Sequence, residues 1–200
     1  MNIRNLGRGV IVAAASLMLA ACGINSVPTK QEAALAQWGT VEAAQQRRHD
    51  LIPNLVSVAE AAAVAERDIF IGVAEARAAA MGVTLSTDDL SSAEEFERMQ
   101  AAENQLTQAL GQFRTVVEQY PQLQNNRNFE NLMIELEQSE NMIFTERQRY
   151  NEKAQDYNTT IRTFPDTIGA NIIHGAEPLE PYTAVTEGAE VAPELDLTSN

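Results

Sequence analysis

Residues 126–165 read NRNFENLMIELEQSENMIFTERQRYNEKAQDYNTTIRTFP, and this stretch decides the fold. Its largest apolar side chains, Phe129, Leu136, Ile143, Tyr150, Tyr157 and Phe164, recur every seven positions. On a helix that repeat makes one continuous stripe, so the spacing predicts a long helix that must be covered by partner helices of comparable length. Pro165 closes it, because proline has no backbone N–H with which to continue.

Upstream, Phe96, Met99, Glu103, Leu106, Leu110, Phe113, Val117 and Tyr120 follow one another by threes and fours, which predicts a second helix. Ser91 and Ser92 ahead of Glu94 and Glu95 make its N-cap and acidic first turn. Pro121 ends it, and the short turn over residues 121–127 makes it an antiparallel neighbour of the helix that follows. Residues 82–92 (GVTLSTDDLSS) are the clearest break in the chain. Before them a stripe through Val41, Arg48, Leu55, Ala62, Ile69 and Ala76, with Trp38, Ile52, Ala59 and Val73 beside it, predicts a first helix from near Thr29 to Met81. Pro53 should kink that helix without stopping it, since the stripe keeps its phase on both sides. After Pro165, residues 166–174 read as a short fourth helix or turn docked through Ile168, Ile172 and Ile173. The expected fold is therefore all-α: a long antiparallel helical bundle of three long helices plus a short C-terminal helix or turn. The composition agrees, with 44% apolar but only 6% aromatic residues suiting Ala- and Leu-packed helices better than a sheet.

The N-terminus reads as a targeting segment. Arg4 and Arg8 form a basic region, residues 10–19 (VIVAAASLML) a short apolar one, and small residues follow. This run is shorter than the roughly 20 residues needed to span a bilayer. Residues 19–22 (LAAC) resemble the bacterial lipobox, in which the cysteine is lipid-modified and becomes the new N-terminus. Cys22 is the single cysteine, so it forms no internal disulfide and is best explained as an acyl (palmitate) anchor. The expected organisation is a signal peptide over residues 1–21, anchor and linker over 22–30, helical bundle over 31–175, and a disordered acidic tail over 176–200. Net charge is -14, and without the two signal arginines it is 12 basic residues against 28 acidic. Such a domain is repelled by phosphate, which argues against nucleic-acid binding and leaves Cys22 as the expected membrane contact.

Five segments carry a family resemblance: RRHDLIPNLV (47–56), EQYPQL (118–123), SENMIF (139–144), RQRYNEKAQDYNTTIRTFP (147–165) and CGINSVPTKQE (22–32). Together they resemble the LemA family of bacterial membrane-anchored proteins over residues 22–174. The resemblance implies a long helical bundle held at the membrane by its N-terminus, and supplies no catalytic residue to transfer.

Polar residues inside the stripes are the candidate site. Glu66, Glu103, Glu140 and Arg147 take core-facing positions, and counting helical rise from the expected turns puts the three carboxylates in one layer. One reading is a polar layer that sets helix register, with Arg147, Arg67 or Arg98 neutralising the carboxylates. The other is a metal-dependent carboxylate enzyme, although its usual Glu-x-x-His pairs are missing and His49 and His174 are expected elsewhere. The same count places Arg47, Arg48 and Asn54, around Pro53, beside the turn over 120–126, as turn caps or a partner-docking surface. Tyr150-Asn151 and Tyr157-Asn158 repeat at seven residues, the tyrosines expected in the core with their hydroxyls at its rim and the asparagines solvated. No nucleophile, phosphate loop, metal ligand set or cofactor motif stands out. The expected function is non-enzymatic: a lipid-anchored helical scaffold or adaptor of the bacterial envelope, outside the cytoplasm, acting by binding other envelope proteins or by self-association.

Overall fold

The heptad stretch forms helix α5, Arg127–Arg162. Phe129, Leu136, Ile143, Tyr150 and Tyr157 are all buried along it, whereas Phe164 lies beyond its end and is 78% exposed. Asn126 caps the start, its Oδ1 accepting from the backbone N–H groups of Asn128 and Phe129 at 3.0 and 3.3 Å. This computed structural model describes residues 3–62 and 67–183, with side chains from residue 25 onward. Glu66, the side chain of Cys22 and residues 184–200 of the expected tail lie outside the described residues.

The described residues are all-helical: α1 Ile3–Ala61, α2 Arg67–Met81, α3 Ala93–Val117, α4 Pro121–Gln124, α5 and α6 Asp166–Gly169, with a 3-10 turn at Asp89–Ser91 and a π turn at Ala170–His174. Pro53 sits inside α1, as expected. Ser92 caps α3, its hydroxyl accepting from Glu95 N–H at 3.4 Å.

The expected first helix, however, is two. It stops at Ala61, and α2 returns alongside α1, with Arg77 Nε donating to the His49 carbonyl at 2.7 Å. A straight helix over 35–81 would be on the order of 70 Å long, well beyond the roughly 37 Å of α3, and its far apolar face would have no cover. Folding back lets Phe70, Val73, Ala76 and Ala80 bury against α3. Directions alternate accordingly. Lys30 meets Asp156 and Gln37 meets Glu146, so α1 and α5 are antiparallel; Gln45 meets Met99 and Arg48 meets Glu103 and Thr107, so α1 and α3 are parallel.

Two apolar clusters form the core. One gathers Trp38, Val41, Phe96, Met99, Tyr150, Tyr157, Leu179 and Tyr182 towards the N-terminal end of the bundle. The other gathers Ile52, Leu55, Phe70, Leu106, Phe113, Phe129 and Leu136 towards the far end. Residues 176–183, expected to be disordered, are an ordered strap instead: Leu179 is 2% and Tyr182 9% exposed. Acidity and prolines pointed to disorder, but Leu179 and Tyr182 bury among the helices and side chains of α5 hydrogen-bond the strap backbone. Gly175 makes the turn into the strap at φ +55°, a conformation that suits glycine.

Candidate functional site

A polar layer separates the two clusters. Gln45, Arg48, His49, Gln100, Glu103 and Ser139 are its buried polar members. Helical spacing brings them together: Arg48 continues the inward stripe of α1 between Val41 and Leu55, and Glu103 that of α3 between Met99 and Leu106. Arg48 binds Glu103 Oε2 through one guanidinium nitrogen and Thr107 Oγ1, at 3.0 Å, through the other. His49 Nε2 lies 3.1 Å from Glu103 Oε1. Burial alone would raise the Glu103 carboxyl; the hydrogen bond from His49 and the charges of Arg48, His49 and Arg147 outweigh it and hold the group below its ordinary value. Burial pushes the Arg48 guanidinium downward despite the adjoining carboxylate.

The expected residues thus fall in different places. Glu103 is in the layer, but its partners are Arg48 and His49. Helix α1 folds back soon after them, so they stand at mid-bundle rather than at the 120–126 turn, and Arg48 is too buried to be a docking residue. Arg47 and Asn54 are exposed on α1. Glu140 is half-buried, pairs with Arg114 at 3.5 Å and acts through its charge on Arg48. Arg147 lies 4.6 Å over the ring of Tyr182. The rise count for Glu66 assumes one helix through residue 81, and Glu66 lies outside the described residues; Glu103 and Glu140 are counted from the 120–126 turn, and the charges of both act on Arg48. Among the described residues no three His, Cys, Asp or Glu side chains converge as metal ligands.

Beside the layer is a cavity of about 130 Å³, lined by Trp38, Gln45, His49, Met81, Met99 and Glu103 among others. Chemically the layer is a buried Arg48–Glu103 ion pair with the His49 imidazole beside it. Glu103 is engaged by Arg48 and His49, with the hydroxyls of Thr107 and Ser139 in the same layer.

The strap was missed by sequence reasoning, and its signal was the Tyr-Asn repeat. Asn158 clamps Leu179, donating to its carbonyl and accepting from its N–H, both at 2.8 Å. One heptad earlier, Asn151 does the same to Tyr182 at 2.9 and 2.8 Å. The asparagines are therefore engaged rather than solvated. Tyr150 likewise carries its hydroxyl inward, donating to the Glu180 carbonyl at 3.0 Å, and burial raises its pKa. Tyr182 stacks on Trp38 with centroids 5.8 Å apart and meets Phe96 edge-on at 5.1 Å.

The sequence model of the LemA family matches residues 37–196, most of the chain. The chain belongs to the LemA family. Similar relatives include magnetosome proteins MamQ 2 and MamQ 1 of Paramagnetospirillum magneticum, each 27% identical over 187 residues, covering 81% of this chain and 69% of the relative. Magnetosome protein MamQ of Magnetospirillum gryphiswaldense is 26% identical over 157 residues, covering 70% of this chain and 58% of that protein. Among the described residues no helix of this LemA-family chain is long and apolar enough to cross a membrane.

Proposed function

We propose that this LemA-family protein is a lipid-anchored, non-enzymatic adaptor of the bacterial envelope, with α1, α3 and α5 as the three long rods of its bundle. It is tethered through Cys22 outside the cytoplasm and acts by contacts with other envelope proteins or with further copies of itself. The observation that carries this reading is α1. One unbroken helix joins the segment bearing Cys22 to the spine of the bundle, so a tether at Cys22 would hold the bundle at the membrane. The Arg48–Glu103–His49 cluster supports the non-enzymatic half, since its carboxylate is already paired inside the bundle.

Labelled palmitate fed to cells making the protein tests the anchor. The wild-type chain should take up label and sediment with membranes, and Cys22→Ser should lose both. Label retained by Cys22→Ser would refute the tether. In-cell crosslinking tests the adaptor, which predicts one reproducible partner or a defined oligomer; a chain that crosslinks to nothing overturns it.

A further inference from the structure

Ile168, Ile172 and Ile173 do not dock as the sequence suggested. They are 52%, 79% and 56% exposed, and Phe164 beside them is 78% exposed. These four large apolar side chains fall within ten residues, on the segment formed by the end of α5, α6 and the π turn. The packed side of that segment is covered: Gly169 and Ala170 are buried, and Asp166 accepts a hydrogen bond from Ser26 of α1. The exposed apolar side is therefore a stable feature of a docked element. Four such side chains within ten residues are also a cluster, whereas on a soluble surface big apolar residues are normally scattered singly.

Its position says what covers it. Ser26 ties the segment to the part of α1 that continues back to Ile3, through the uncharged residues 9–22 and Cys22. The patch thus faces the end of the bundle from which the anchor segment leaves. Charge points the same way. The chain carries -14 overall, yet residues 163–176 hold a single acidic residue, Asp166, and no Lys or Arg. This face lacks the negative charge that would hold the rest of the bundle off an anionic surface.

We propose that Phe164, Ile168, Ile172 and Ile173 insert into the interface of the bilayer to which the chain is tethered, as a second membrane contact that sets the tilt of the bundle. The proposal rests on the tether reading above. An acyl chain at Cys22 alone would leave the bundle free to swing, and a shallow apolar wedge beside it fixes its orientation. Each side chain moved from water into the acyl boundary adds to binding in proportion to its apolar area.

The test uses the full chain on phosphatidylcholine vesicles with brominated acyl chains, which quench indole emission at short range. Ile172→Trp puts the probe in the patch. Met142→Trp puts it at a side chain 41% exposed, about 30 Å along α5 from Arg162. Trp38, 5% exposed and about 18 Å along α1 from Ser26, is the common background. Both replacements are on the surface and leave the core intact. In chains that float with the vesicles, Ile172→Trp emission should be quenched several-fold more than that of Met142→Trp. Equal quenching in floating chains overturns the membrane contact and leaves the tether standing. A blue-shifted emission from Ile172→Trp without lipid quenching assigns the patch to protein, such as a second copy, and also overturns it. A chain that does not float removes the tether and the contact together.

Discussion

At the residue scale the Arg48–Glu103–His49 cluster is the most consequential feature. Removing one partner of a buried ion pair leaves an uncompensated charge, so Arg48→Met should cost about 3–5 kcal/mol in urea unfolding. Arg48→Met with Glu103→Leu should recover most of that loss, because the desolvation of both charges disappears with them. The pair's burial also sets a pH dependence. The Glu103 carboxyl is held below its ordinary value of 4.5 in the folded chain, so the unfolded chain takes up a proton first as acid is added. Its contribution is complete above about 4.5 and is lost as pH falls through the folded value. Thermal unfolding followed from pH 7 to pH 3 should accordingly fall less steeply in the double replacement than in the wild type. Glu103 was legible from its place in an apolar stripe. Its partners were not, because Arg48 and His49 are neighbours of Glu103 only once α1 and α3 run parallel.

At the element scale the strap over residues 176–183 is held by side chains of α5. Asn151→Ala with Asn158→Ala removes four hydrogen bonds to the strap backbone while leaving the apolar anchors Leu179 and Tyr182 in place. Amide exchange at Leu179 and Tyr182 should speed up sharply, with exchange in the middle of α5 unchanged. If those two amides stay protected, the clamp is not what orders the strap. The element boundaries divide in the same way. Ser92, Asn126 and Pro165 mark helix ends by local chemistry, a capping oxygen or a missing donor, and such marks are readable in the sequence. The end of α1 at Ala61 carries no glycine or proline. It follows from the length of the partner available to cover α2, which no window of sequence contains.

For the whole molecule, the strap completes the core nearer the anchor. A chain ending after residue 175 loses both Leu179 and Tyr182, and large-to-small changes of that kind cost about 3–5 kcal/mol for one aromatic alone. Its thermal midpoint should drop, and Trp38 emission should shift to the red as the ring stacked on it is removed. An unchanged midpoint would show that the strap only rests on the bundle. In contrast Phe164→Ser, at a side chain 78% exposed, should leave stability within about 0.5 kcal/mol while weakening the proposed membrane contact.

The sequence by itself determined the helical class, the inward face of the long helices and the family, because side-chain periodicity and capping act over one or two turns and are written in consecutive residues. It also marked the acidic surface and the segment bearing Cys22. Only the tertiary structure decided where the first helix folds back, which side chains meet Glu103, that Asn151 and Asn158 grip a strap, and that the isoleucines after Pro165 face outward. The reason is common to all four: each depends on which surface is left to cover an apolar face or satisfy a polar group after the helices have packed, and that competition is settled between segments far apart in the chain.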